Sequence, residues 1–240
     1  TDPEPERRMP IDTIQTISMT LGAAWASGIN LYAAVLTLGF LAASGQMTLP
    51  PDLVFLSNPL VMFAAGLMYT VEFFADKTPG VDTGWDVLHT FIRIPAGAAL
   101  AAGMAQGLDI GQSAEFAAML VGGSLAATSH ATKAGTRVMI NTSPEPVSNW
   151  TASISEDIAV IGGLWAALHY PWLFVAGLVV FLLMVAWLLP KLWRALKRLL
   201  QAAGRFFSGR RGNSDPGNPA GKGAGDDILR ALHHQASEKK

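Results

Sequence analysis

Between residues 71 and 93, ionisable side chains interrupt sequence that otherwise reads as membrane helix. Glu72, Asp76, Asp82, Asp86, His89 and Arg93 lie in VEFFADK (71–77) and DTGWDVLHTFIR (82–93), between runs too apolar for a solvated surface. A charge at bilayer depth costs about 2.5–3.5 kcal/mol even on the gentlest insertion scale, so such groups face a bundle interior or a cavity. The second half holds a counterpart, SHATKAGTR (129–137), with His130, Lys133 and Arg137 at helical spacing on one face. Any chemistry in this chain is expected between those two faces.

Composition supports the membrane reading. The chain is 50% hydrophobic and 15% charged, against about 25% charged in an ordinary soluble domain. The absence of Cys excludes disulfides, thiolate metal sites and Cys nucleophiles. No Gly-rich phosphate loop, Ser/His/Asp arrangement or nucleic-acid-binding patch is present, and no nucleic-acid partner is expected.

Six apolar segments emerge, at roughly 12–44, 58–75, 84–106, 114–140, 152–168 and 172–198. They predict an all-α, polytopic helical bundle of about six transmembrane helices, since about twenty apolar residues cross a ~30 Å hydrocarbon core. Arg7 and Arg8 precede the first run, as in a signal peptide. That run is longer than an h-region and is interrupted by Trp25 and Asn30, which argues for a retained helix. Residues 1–11 are then a cytoplasmic N-terminal segment, 12–198 the membrane domain and 199–240 a cytoplasmic tail. The tail starts as a basic amphipathic stretch suited to anionic lipid headgroups. It continues through a Gly/Pro/Asn-rich linker (208–227) to a short terminal helix.

The loops 45–57, 107–113 and 169–171 contain no Lys or Arg. The positive-inside rule puts them outside and both termini in the cytoplasm, in a bacterial inner membrane. A three-plus-three inverted repeat is also expected, because LGAAWASGIN (21–30) lies over VGGSLAATSH (121–130) without a gap, setting Asn30 opposite His130.

On this topology Asp86, His89 and Arg93 line one stripe of the third span, facing Arg137, Lys133 and His130 of the fourth. Glu72 lies one turn from the inner end of the second span, and Glu156 and Asp157 begin the fifth. Opposite charges at matched depth predict pairs of Asp86 or Glu156 with Lys133 or Arg137. These either fix helix register alone or wall a hydrated vestibule where His89 or His130 titrates and Arg93 or Lys133 attracts an anion. A third reading places Mg²⁺ or Mn²⁺ on Asp82, Asp86 and His89, as in an enzyme acting on a lipid phosphate; otherwise no cofactor is expected. Asn141 and Asn149 fall in glycosylation sequons of a predicted cytoplasmic loop and read as incidental. Pro95 with Gly97 offers a kink beside Arg93.

The strings WASGINLYA (25–33), VEFFADKTPGVDTGWDVLHTFIRIPAGA (71–98) and SHATKAGTRVMINTSPEPVSNWTASISED (129–157) resemble a bacterial family of small multi-pass membrane proteins, domain of unknown function 4126. The resemblance covers about residues 15–198 and carries no established activity. It implies an integral membrane protein whose charged stretches are family signatures, which favours a site. The leading expectation is a transporter or channel-like protein whose polar cavity opens to the cytoplasm, with an oligomer allowed. A metal-dependent enzyme and a membrane scaffold are the alternatives.

Overall fold

The computed structural model describes residues 13–78, 80–108, 111–141 and 146–208. The expected N-terminal segment and the linker and terminal helix of the tail lie outside the described residues. Within them the chain is all-helical, with no strand: α1 (Thr13–Ile29), α2 (Leu31–Ala43), α3 (Pro59–Ala75), α4 (Val81–Ala105), α5 (Gln112–Ile140), α6 (Pro146–His169) and α7 (Pro171–Ser208). A 3-10 segment, Pro51–Ser57, precedes α3 at a bend of 67°. Capping residues explain the breaks. Asn58 accepts from the Leu60 amide while Pro59 takes the first helical position, where its missing N–H costs nothing. Gly80, at φ +85°, turns the chain into α4 without the clash a Cβ would bring.

The first apolar segment is not the single crossing expected for 12–44. Asn30 leaves helical geometry (φ −147°, ψ 98°), and its side chain accepts the Ala33 amide, ending α1 and capping α2 in one residue. Thr16 of α1 shares a cavity of about 270 Å³ with Met47, Leu49, Pro50, Gly107 and Leu168. Were α1 and α2 collinear, Thr16 and Ala43 would stand about 40 Å apart. The seven residues to Pro50 span at most about 25 Å. The two helices therefore fold back on each other, and the start of α1 lies at the end of the bundle holding the Lys- and Arg-free loops. Gln15 Nε2 donates to the Leu168 carbonyl at 2.6 Å there.

The hairpin tip reaches the middle of the bundle. Ser27 Oγ donates to the carbonyl of Arg93, midway along α4 (3.0 Å), and Ser129 Oγ of α5 donates to that of Trp25 (2.9 Å). Gly28 packs on Ala126 and Ser129, while Gly122 packs on Ala24, Ala101 and the Gly97 backbone. Small residues at these crossings allow close backbone approach. Residue numbers rise together along α1 and α5 (24 with 122, 28 with 126), so these helices run in the same direction. Corresponding helices of an inverted repeat run oppositely, so the 21–30/121–130 match is compositional. Pro95 is accommodated within a continuous α4.

Around the hairpin, Met19, Ala23, Leu38, Leu100, Leu125, Val160 and Leu164 form the apolar core, with Trp25 edge-on to Phe174 and Phe181. The outer surface carries Leu60, Phe63, Phe74, Leu88, Phe91, Leu120, Ile158 and Leu183, whereas Glu72, Asp82, Arg93 and Arg137 are completely buried. A soluble domain distributes these residue types the other way round. Among the described residues two helical stretches, Val81–Leu108 and Pro171–Leu188, are long and apolar enough to cross a membrane, and Pro51–Ala75 makes a third if the bent pair counts as one span. This first compact unit ends at Leu189. A second unit begins at Pro190, where α7 continues to Ser208 and Arg194 Nε donates to the Pro190 carbonyl.

Candidate functional site

The charged residues meet where α3, α4, α5 and α6 converge on the hairpin tip. Arg93 is central: Nη2 pairs with Glu72 Oε1 at 2.5 Å and Nη1 with Asp86 Oδ1 at 2.9 Å. One turn inward, Lys133 Nζ contacts Asp76 Oδ2 (2.7 Å), Glu72 Oε1 (3.3 Å), Glu156 Oε2 (3.4 Å) and Asp86 Oδ1 (3.9 Å). Arg137 grips both Glu156 oxygens through Nε and Nη2, and Nη1 donates to the carbonyls of Asp76 and Asn149. The i, i+4 and i, i+3 spacing on each helix produces this convergence, since one stripe of a helix faces one neighbour.

The pairing goes beyond the one expected. Lys133 and Arg137 do reach Glu156, but Arg93, anticipated as anion bait, is occupied by Glu72 and Asp86. Six carboxylates (Glu72, Asp76, Asp82, Asp86, Glu156, Asp157) share this end of the bundle with four cations (Lys77, Arg93, Lys133, Arg137). Glu72 Oε2, Asp76 Oδ1, Asp86 Oδ2 and Arg93 Nε have no hydrogen-bond partner among the described residues. A buried network with unfilled capacity calls for a functional explanation, because each such atom carries a desolvation cost of about 1–3 kcal/mol.

Hydrogen bonding assigns roles to the ring nitrogens of both histidines. His130 Nδ1 lies 3.2 Å from Arg93 Nη1, which can only donate, so Nδ1 accepts and Nε2–H donates to Thr90 Oγ1 at 2.7 Å. His89 Nδ1 faces the Trp85 carbonyl at 2.9 Å and must carry a proton, while Nε2 shares a hydrogen bond with the Tyr32 hydroxyl at 3.1 Å; its ring stacks on Trp85. Tyr32, on α2, thus joins the hairpin to α4.

The tip supplies two further groups. The helix break frees the Ile29 carbonyl, which accepts from Lys133 Nζ at 3.1 Å. Asn30 Nδ2 donates to Asp157 Oδ1 (3.1 Å), and Tyr69 donates to Oδ2 (2.9 Å). Asn30 therefore faces Asp157 of α6.

Asp82 is held apart, at the start of α4. Both its oxygens accept from Asn141 Nδ2 (2.9 and 2.8 Å), and Asn149 Nδ2 donates to Asn141 Oδ1. These two asparagines, incidental in the sequence reading, tie the start of α4 to the end of α5 and to α6. Asn141→Ala is expected to cost about 2–3 kcal/mol, as for a hydrogen bond to a buried carboxylate, read as a lowered unfolding midpoint in detergent. Lys77, in the turn after α3, donates to Ser153 Oγ and the Phe73 carbonyl. Burial pushes its ammonium below the usual lysine range, and Asp157 and Asp76 partly restore it.

The proposed metal set Asp82, Asp86 and His89 shares a stripe of α4, but Asn141, Arg93 and Tyr32 respectively engage its members. Among the described residues no three His, Asp or Glu side chains are placed to hold a metal ion. Missed in the sequence were Tyr32, Tyr69, Thr90, Asn141, Asn149 and Ser153. Their only local signal was a polar atom on the same stripe as the charges.

No curated protein and no solved structure matches the chain. Residues 17–191, which include every element of the network, match the family described as Domain of unknown function (DUF4126). An all-helical fold with charged residues packed inward beneath a broken helix is therefore what a member of that family looks like, and the chain belongs to it.

Proposed function

We propose that this chain is a small transporter or channel-like protein of the bacterial inner membrane, in which the buried network binds a proton or another small cation. The observation that carries the reading is the excess of carboxylates over cations among the described residues of the compartment, together with three carboxylate oxygens that have no hydrogen-bond partner among those residues. Scaffolding alone favours charge balance, since every uncompensated buried charge is costly. Among the described residues Arg93, Lys133 and Arg137 are each already ion-paired, and Lys77 is engaged by Ser153 and the Phe73 carbonyl, which disfavours an anion. The broken helix supports the same reading: non-helical backbone at membrane depth accompanies binding sites in transporters, where half-helix ends and unwound carbonyls meet the transported species.

On this proposal α3 to α7 cross the bilayer and α1–α2 is a re-entrant hairpin inserted from the outside. The positive-inside rule sets the Lys77–Arg137 end, with its polar compartment, toward the cytoplasm. The purified protein in liposomes tests it. A pH-sensitive dye is expected to report proton flux above that of empty vesicles, reduced about tenfold or more by Glu72→Gln, which removes one buried titrating group. If protons, Na⁺, K⁺, chloride and phosphate all fail to move faster than in empty vesicles, the reading is wrong.

A further inference from the structure

Like Asp82 at the start of α4, Asp157 differs from the ion-paired carboxylates of the compartment in what holds it. The ion pairs end on Glu72, Asp76, Asp86 and Glu156. Asp157 instead takes its hydrogen bonds from two neutral groups, Asn30 and Tyr69, while only 9% of its surface is exposed. Asn30 is also the residue that breaks the α1–α2 helix. We propose, resting on the transport reading above, that the coupled ion is a proton taken up by Asp157, and that its binding releases the hairpin tip.

The argument is one of donors and acceptors. The Asn30 amide cannot turn over, because its Oδ1 already accepts the Ala33 amide of α2. It can therefore only donate toward Asp157. With the carboxylate ionised, the bond from Asn30 is charge-assisted, about twice as strong as a neutral one. A proton arriving from the cytoplasmic end onto Oδ1 sets a hydroxyl donor against the Asn30 N–H and breaks the contact. On Oδ2 it is tolerated, since the Tyr69 hydroxyl can rotate to accept, but the Asn30 bond then ends on a neutral acid. Either way the Asn30 tie from the tip to α6 is broken or weakened. The other hydrogen bonds of the hairpin tip are Ser27 to the Arg93 carbonyl, Ser129 to the Trp25 carbonyl, Tyr32–His89 and Lys133 to the Ile29 carbonyl, all to α4 or α5.

The charged surroundings set the affinity. The charged groups around Asp157 are Lys133 of α5, Lys77 of the α3–α4 turn, its chain neighbour Glu156 and, beyond Tyr69, Glu72 of α3. The tip itself contributes no charge, only the Asn30 amide.

Because the chain has no native Cys, the hairpin can be followed with single introduced thiols. Leu31→Cys places one at the buried tip, and Ser44→Cys one at an exposed position. In the full-length protein in liposomes, maleimide labelling at 31, divided by that at 44 to cancel thiol ionisation, is expected to rise about tenfold between pH 8 and pH 5. In an Asp157→Asn background it should be high at both pH values. Tyr69→Phe, a milder change, removes one donor to the carboxylate and should move the transition about one unit up in pH. A ratio that is flat with pH, a transition that survives Asp157→Asn, or a midpoint unmoved by Tyr69→Phe overturns the proposal. The assay needs no transport. An absence of flux with an intact transition rejects the transport reading and its coupling while leaving the latch, whereas flux with a flat ratio rejects the latch alone.

Discussion

Arg93→Met is expected to destabilise the protein by about 3–5 kcal/mol, the range found when one partner of a buried ion pair is removed. Arg93 is completely buried, and its two terminal nitrogens hold Glu72 and Asp86, which are equally inaccessible. Removing the guanidinium leaves two carboxylates to share Lys133, which already contacts Asp76 and Glu156. They must then remain charged at high cost or take up protons. The double variant Glu72→Gln with Arg93→Met removes one charge of each sign and should recover at least a third of the loss. Chemical unfolding in detergent, monitored by helical signal, measures both. An Arg93→Met protein within about 1 kcal/mol of the parent would mean the pair is solvated or dispensable, and the buried-network picture would fail with it.

The second large effect is expected at Gly28, where the hairpin crosses α5. A Cβ there would collide with the Ala126 carbonyl and Ser129 Oγ. The Ala126 oxygen belongs to a helix backbone and cannot swing aside, so α1 must move. Overpacking of this kind costs about 1–3 kcal/mol and occasionally more, and Gly28→Ala should fall at the upper end. The displacement also carries Ile29 and Asn30 away from Lys133 and Asp157, so flux should fall with stability. Gly66→Ala in α3 is the control. Nothing lies within 4 Å of the place its methyl group would take, and a helix gains up to about 1 kcal/mol from that exchange. Equal behaviour of the two variants, by unfolding midpoint, would contradict the close α1–α5 crossing.

The two polar faces are legible in the sequence, because Asp86, His89 and Arg93, and His130, Lys133 and Arg137, recur at helical spacing in apolar surroundings. Their partners are only half legible. Spacing tells which residues share a face but not the rotation of one helix against another. Arg93 thus reads as available for an anion when it is in fact occupied by Glu72. Asn141 and Asn149 carry no signal beyond a chance sequon, since their role depends on Asp82, about sixty residues away.

What the sequence alone determined is an all-helical chain that hides its charges and exposes its apolar side chains. That follows from local periodicity and the cost of burying charge, both of which act within one helix. Only the tertiary structure decided the reversal at Asn30. A lone Asn in an apolar run reads the same whether the helix continues or folds back. The choice rests on Gly28 against Ala126, Ser27 on the Arg93 carbonyl and the short reach of residues 43–50, contacts distant along the chain. That reversal turns an expected first span into a hairpin whose tip meets the charged compartment.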